Sequence, residues 1–233
     1  MTMHRWIYAL TLFATAFATV TNAATERAEE LTDTALDLDA NAQRGSALYR
    51  AQCAGCHGPQ AFGDAQRGIP VLAGQRRAYV IKQLADFMEG ERQATQMHKV
   101  VKRSEVSEPQ AWADVALYLN GLPAPATAQT GDGKHLSLGE ASFEQGCVSC
   151  HEDDGRGDDD GFVPSLRNQH YGYLLKEMRA LAEGHRFSSE PDLGRFLASL
   201  DADEVQGLAD YISRMRGPVR DRARLNQDGS VSD

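Results

Sequence analysis

Two pentapeptides in this chain have residue types and spacing suited to one chemistry: Cys53-Ala-Gly-Cys56-His57 and Cys147-Val-Ser-Cys150-His151. Two thiols separated by two residues can add across the vinyl groups of a porphyrin, and the histidine that follows can ligate its iron. Each motif therefore reads as a c-type heme site. Cys53, Cys56, Cys147 and Cys150 are the expected attachment points of two covalently bound c-type hemes, with His57 and His151 as axial ligands. The motifs use all four cysteines, which leaves none for a disulfide or a free reactive thiol. A four-cysteine zinc site built from two C-x-x-C knuckles is the competing reading. It does not account for the histidine that follows the second cysteine both times.

The elements that must position these motifs repeat as well. Cys53 and Cys147 are 94 positions apart, and the same offset relates Gly45 to Gly139, Tyr49 to Phe143, Gly63 to Gly157 and Pro70 to Pro164. It continues through Leu72 and Leu166, Gln75 and Gln169, Tyr79 and Tyr173, Gly90 and Gly184, and Arg92 and Arg186, while Tyr118 and Tyr211 pair at 93. A register this long predicts two homologous domains. Their period is helical. Asn41 to Gln52 and Ser137 to Gln145 lead into the motifs, and Arg76 to Glu89 and Tyr171 to Glu183 space apolar residues by three and four. A closing helix is expected after Ser107-Glu-Pro-Gln110 and after Asp201-Ala-Asp-Glu204, both of which resemble capping boxes.

No alternating run supports a sheet, so the fold class is all-α. The expected organisation is a signal peptide at 1–23, a loosely ordered acidic leader with some helical tendency at 24–39, and domains at 40–122 and 135–216. A Pro- and Gly-rich linker spans 123–134 and a flexible tail 217–233. Domains of about 85 residues are small for a protein core alone, and a buried porphyrin adds apolar surface. Gly45 with Tyr118, and Gly139 with Tyr211, read as helix crossings where a missing side chain admits an aromatic ring.

The order C-x-x-C-H, then Pro70-Val-Leu-Ala-Gly-Gln75, then Tyr79-Val-Ile-Lys-Gln-Leu-Ala-Asp-Phe-Met-Glu-Gly-Glu-Arg92 resembles the diheme cytochrome c4 family. The second copy, Pro164-Ser-Leu-Arg-Asn-Gln169 and Tyr173 through Gly184-His-Arg186, matches more loosely. The resemblance covers roughly residues 40 to 216. It implies two tandem class I cytochrome c domains, each wrapped around its heme and related by a pseudo-twofold with heme edges facing. It also implies electron transfer between periplasmic or membrane-bound redox partners. Pro70 and Pro164 would each place a backbone carbonyl on a proximal imidazole N–H, with simple turn formation as the alternative.

The resemblance further implies a methionine on the second axial position, in the loop before the last helix. Met97 is the candidate for heme one, where a neutral thioether raises the potential. His98 beside it is the competitor, and Met88 reads as core filling. At the 94 offset Met97 maps to Pro191, and Phe187 to Ser199 contains neither methionine nor histidine. Met178 aligns with the core residue Leu84, and Met215 lies at the far end of the last helix. His170 reads as a surface histidine without a ligand role. Heme two is left with an open or water-bound site, His185, or another ligand; either of the first two lowers its potential relative to heme one. The acidic run Glu152 to Asp160 reads as a solvated face that can orient a basic partner. It matches no EF-hand spacing.

At the N-terminus, Met1 to Arg5 is short and positively charged, Trp6 to Val20 is apolar, and Thr21-Asn22-Ala23 supplies a small-residue cleavage site. The apolar run is shorter than the ~20 residues of a membrane span, so a permanent anchor is the lesser alternative. The mature protein is expected to be soluble and periplasmic, where c-type heme attachment belongs. Cleavage would take the net charge from −9 to about −10, which argues against nucleic acid or an anionic membrane surface as partner. The expected function is an exported diheme cytochrome relaying single electrons, with a membrane dehydrogenase or a terminal oxidase as partner. The alternative is a heme enzyme or a dehydrogenase subunit with an open or histidine-ligated heme two, and a ligand-sensing heme protein is a third. No catalytic acid, base or nucleophile constellation stands out, which favours the carrier over the enzyme.

Overall fold

The computed structural model describes residues 23–186 and 191–217. The expected signal segment before Ala23 and the expected tail from 218 lie outside the described residues. The leader expected to be loosely ordered with some helical tendency is an ordered helix, α1, at residues 23–37. Ala28, Thr32 and Ala35 fall on one face of it, at spacings of four and three, and are buried. The two alanines join the core of the first domain, with Leu31 and Leu36 packed beside them. The Thr32 hydroxyl donates to the Ala28 carbonyl at 2.7 Å, which lets it be buried without an unmet hydrogen bond. Small side chains among many acids carry little hydropathy, so this stripe is faint in the sequence.

The first domain continues with α2 (Ala42–Gln52), the single turn α3 (Ala54–His57), α4 (Arg77–Glu89), α5 (Thr95–Val101) and α6 (Pro109–Gly121). The second repeats this as α7 (Leu136–Gly146), α8 (Val148–His151), α9 (Tyr171–Ala182), α10 (Pro191–Ser199) and α11 (Ala202–Ser213). Among the described residues there are no strands, only isolated bridges, of which Asp64–Ile69 and Asp158–Val163 occupy equivalent places. Local signals set the helix starts. Asn41 accepts the N–H groups of Gln43 and Arg44 ahead of α2, and the capping box Asp201–Glu204 forms ahead of α11. The box expected at Ser107 does not form. Glu108 is the N-cap and Pro109, which has no N–H to satisfy, opens α6.

In each domain the helix ahead of the cysteine motif crosses the last one, α2 on α6 and α7 on α11. An added Cβ on Gly45 would lie 2.0 Å from the Asp114 carbonyl oxygen, and one on Gly139 2.0 Å from that of Gly207. The missing side chain thus admits helix backbone and not the aromatic ring that was expected. The rings meet one turn further on, Tyr49 against Tyr118 at 5.5 Å and Phe143 against Tyr211 at 5.7 Å between centroids. Ile81, Trp112 and Leu119 complete the first core, Leu208 and Ile212 the second, all at most 1% exposed. These two crossings are the frames on which the cysteine turns are mounted.

Candidate functional site

Each heme motif is one helical turn that follows directly on the first helix. Cys56 and His57 N–H groups both donate to the Cys53 carbonyl, and Cys150 and His151 repeat this on Cys147. Both thiols of a motif therefore lie on a single turn that ends in its histidine. Cys147 is buried and Cys53 half-buried, whereas Cys56 and Cys150 are exposed. Burial pushes the Cys53 thiol up to about 11 and the Cys147 thiol up to about 12, so both carry their protons near neutrality.

The imidazoles are held in one orientation. His57 Nδ1–H donates to the Pro70 carbonyl at 3.3 Å, and His151 Nδ1–H to the Pro164 carbonyl at 3.1 Å. This is the carbonyl contact that the sequence suggested for both prolines. With Nδ1 as donor, Nε2 carries the lone pair. Burial lowers both imidazoles below their ordinary range, partly offset by the proline carbonyls, which favours the neutral, ligating form. Gly63 and Gly157, both at positive φ, let the chain pass over these carbonyls; a Cβ there would come within about 2.5 Å of the Pro70 or Pro164 oxygen.

Two thiols on a turn beside a neutral imidazole with a directed lone pair fit a c-type heme, once in each domain. Among the described residues no group of three or more His, Cys, Asp or Glu side chains is placed to hold a metal ion directly. The two C-x-x-C knuckles are therefore not brought together as the zinc alternative requires, and the acidic run forms no calcium cage.

The residues expected on the distal side are distributed differently from expectation. Met97 and His98 lie on α5 and not in a loop, both half-buried. His98 Nδ1–H donates to the Phe87 carbonyl at 2.7 Å, which ties its ring to the end of α4. His185 is 72% exposed, with Nδ1 3.2 Å from a Glu183 carboxylate oxygen. On α10, Leu197 is buried and Leu193 and Phe196 pack on the second core. The Phe196 ring covers Gly146, where an added Cβ would lie 2.4 Å away. The equivalent Gln52 instead accepts a hydrogen bond from Arg103 at 3.0 Å. Residues 187–190 of this loop lie outside the described residues.

Between the two motifs lies an interface that the sequence reading left without a role. Gln75 reaches across to Ser165, accepting its N–H at 2.8 Å and donating to its carbonyl at 2.9 Å. Gln169 does the same to Val71, at 2.9 and 3.0 Å. The residues after these glutamines cross over too. Arg76 donates to the Arg156 and Gly157 carbonyls, and His170, at the equivalent position, donates from Nε2 to the Phe62 carbonyl at 2.9 Å. His170 Nδ1 accepts the Gln129 N–H. His170 is buried at the domain junction, not a surface residue as expected. Asp159, in the run read as a solvated face, is half-buried, pairs with Arg76 and accepts the Ala78 N–H at the start of α4.

At the centre, Arg92 donates to the Tyr173 hydroxyl at 2.7 Å and Arg186 to the Tyr79 hydroxyl at 2.8 Å. Both guanidinium groups also bond Gln83 and Glu177. The signal for these contacts was present, since polar residues recurring at the 94 offset within and beside α4 and α9 call for a structural partner. One domain alone does not show where that partner is.

Fold and sites together define a tandem-domain c-type cytochrome with one heme site in each half. The family model described as cytochrome c matches residues 42–123 and again 136–216, and the chain belongs to that family. Within it the chain is of the diheme cytochrome c4 kind. Cytochrome c4 of Azotobacter vinelandii is 27% identical over 190 residues, 75% of this chain and 88% of that protein. The crystal structure of reduced recombinant cytochrome c4 from Pseudomonas stutzeri superposes with a TM-score of 0.67 at 26% identity, over 76% of this chain and all of that one. The thiosulfate dehydrogenase electron acceptor of Stutzerimonas stutzeri is 33% identical over 199 residues, 77% of this chain and 90% of that protein. Thiosulfate dehydrogenase TsdBA of Marichromatium purpuratum gives a TM-score of 0.66 at 31% identity, over 78% of this chain and 41% of that chain. The protein is a diheme electron-transfer cytochrome.

Proposed function

We propose that this protein is an exported carrier, not itself a catalyst, that accepts electrons from a thiosulfate-oxidising dehydrogenase and passes them on singly. The observation that carries the reading is the pair of Nδ1-anchored imidazoles mounted on either side of one buried, hydrogen-bonded junction. When bound, the two hemes supply one-electron iron chemistry. His57 and His151 offer Nε2 lone pairs as proximal ligands, and the proline carbonyls fix the ring planes and raise ligand basicity. Met97, half-buried on α5, would supply the distal thioether to heme one. The junction holds the two proximal loops at a fixed spacing, which keeps reorganisation small. The net charge of −9 favours a basic docking patch on the partner. The donor class is supported by the 33% identical electron acceptor and by the likeness to TsdBA. Export is supported by the targeting segment read from the sequence; no helix among the described residues is long and apolar enough to cross a membrane.

The test is anaerobic stopped-flow reduction of the oxidised diheme protein by thiosulfate with and without a thiosulfate dehydrogenase. Saturable reduction that requires the dehydrogenase is expected. Failure with the dehydrogenase present would remove the donor assignment, and turnover of thiosulfate without it would make the protein an enzyme.

A second reading concerns heme two. Leu193 and Phe196 are hydrocarbon, and His185 is exposed and paired with Glu183. These features favour a site without a strong distal ligand. Reduced spectra with carbon monoxide decide it: one heme of two should respond, and a fully low-spin, unresponsive protein rejects the open site.

A further inference from the structure

We infer that each proximal histidine is tuned from the opposite domain, His57 by Gln169 and His151 by Gln75. The Pro70 carbonyl that accepts His57 Nδ1–H and the Val71 N–H that Gln169 receives belong to one peptide group. Likewise the Pro164 carbonyl on His151 and the Ser165 N–H received by Gln75 are two ends of one amide. Each forms a chain of hydrogen bonds: imidazole N–H to carbonyl, then through the conjugated amide from its N–H to a glutamine oxygen. A peptide whose N–H is engaged carries more negative charge on its oxygen, because resonance couples its two ends. The stronger acceptor pulls harder on Nδ1–H, makes Nε2 more electron-rich and favours ferric iron.

The glutamines are built for this task. Gln75 and Gln169 are 8% and 7% exposed, and each amide oxygen also takes the following backbone N–H, of Arg76 at 2.8 Å and of His170 at 3.0 Å. That second bond aims the oxygen before the other domain arrives. The amide nitrogen bonds the Ser165 or Val71 carbonyl, which locks the side-chain orientation. Gln75 and Gln169 are therefore positioning residues that act through the peptide after each proline. The first link is shorter for His151, 3.1 against 3.3 Å for His57, so Gln75 exerts the larger effect.

The inference rests on His57 and His151 as iron ligands, so NMR detection of the strongly iron-shifted imidazole ring protons of both histidines in the oxidised, unmutated diheme protein comes first. Absence of those signals counts against the ligand reading alone. Gln75→Met and Gln169→Met then remove the acceptor with little change of shape. Potentials are read for each heme by NMR, with the heme methyls assigned to a domain through their side-chain contacts. Gln75→Met should move the reduction equilibrium of heme two toward ferrous iron about threefold and leave heme one in place. Gln169→Met should move heme one in the same sense, by less. Gln75→Glu keeps an acceptor and adds charge, so heme two should move the opposite way. A shift in the heme of the mutated domain, an equal shift of both hemes, or the same sign for Met and Glu overturns the inference. Should Gln75→Met part the domains, the Glu variant still decides by its sign.

Discussion

Replacing Glu177 by glutamine removes one charge from the centre of the domain junction while keeping its shape. Arg92 Nη2 and Arg186 Nη1 each donate to Glu177 Oε2 at 2.9 Å, with side chains only 11, 14 and 12% exposed for Arg92, Arg186 and Glu177. The equivalent position in the first domain is the neutral Gln83, which accepts from Arg92 at 2.6 Å and from Arg186 at 3.2 Å. Glu177 is thus the one carboxylate that both guanidinium groups bond directly, with Lys176 3.5 Å from its other oxygen and Asp86 one hydrogen bond away through Gln83, and E177Q leaves the guanidinium pair without it. Each of the two bonds loses its charge assistance, about 1 kcal/mol apiece. The neighbouring cations then repel through an interior that water hardly reaches, for about 1 kcal/mol more. A loss of about 3 kcal/mol is expected, at the lower edge of what breaking a buried pair costs. Urea unfolding of the oxidised protein at pH 7 measures it through the midpoint at unchanged slope. The pH dependence is a second constraint. Burial alone would raise the Glu177 carboxyl, but Arg92 and Arg186 outweigh it and hold it below its ordinary value of 4.5. A depressed native pKa contributes stability that is complete above the unfolded-state value and lost as pH falls through the native one. The difference between E177Q and the native protein should therefore be full at pH 7 and shrink below pH 4.5. Gln83→Glu gives the guanidinium pair a second carboxylate but removes the Nε2–H that Gln83 donates to Asp86 Oδ2 at 3.0 Å, setting two buried carboxylates side by side, so it should not stabilise at pH 7. A native-like midpoint for E177Q, or a gap that persists undiminished in acid, refutes the charge account.

Three further perturbations test other parts of the fold. Gly45→Ala drives a methyl group to 2.0 Å from the Asp114 carbonyl oxygen, so α2 and α6 must part; a loss of about 3 kcal/mol is expected, read as a lower melting temperature and poor heme loading. Asp159→Ala removes the cap that the second domain places on α4 and should cost about 1 kcal/mol, while the exposed neighbour Asp153→Ala leaves the melting temperature in place. Met97→Ala should abolish the methionine–iron charge-transfer band of the oxidised protein, and His98→Ala should keep it; a band that survives in Met97→Ala rejects the ligand.

The parts legible in the sequence are those governed by local chemistry. Two cysteines and a histidine on one turn, a proline carbonyl facing the ring, and a capping box at Asp201 are all set by residues near in sequence. The errors share a cause of a different kind. Ser107 looked like a cap, but Pro109 two residues later changed which backbone donors needed one. The stretch at 23–37 looked loose because its buried face is alanine and threonine among acids, and only the core of the first domain shows why that face is covered. His170 looked exposed because its two partners are the Phe62 carbonyl and the Gln129 N–H, 108 and 41 residues away. Periodicity reports which face of a helix is apolar. It does not report which carbonyl of another domain lies over a polar side chain.

The duplicated register also locates where the halves were allowed to diverge. Proximal parts agree position by position: cysteines, histidine, the glycine over the loop, the proline and the glutamine. Divergence lies at Gln83 and Glu177 in the junction, at Arg76 and His170 beside it, and at Gln52 and Gly146 with their partners Arg103 and Phe196 next to the first cysteine of each motif. If divergence only relaxed an unused copy, the buried charge cluster would be expected to lose polar groups. Instead every polar group named in it is bonded, and the carboxylate that both guanidinium groups bond sits on the second domain's side. An ionic centre of this kind gains less than apolar packing would, so its presence points to a constraint on how the two halves are held. A carrier that moves one electron between two iron sites needs a fixed spacing and unequal potentials. The repeated glutamine clasps fit the first need, and the unlike α5 and α10 segments, with Met97 against Pro191 at the 94 offset, fit the second.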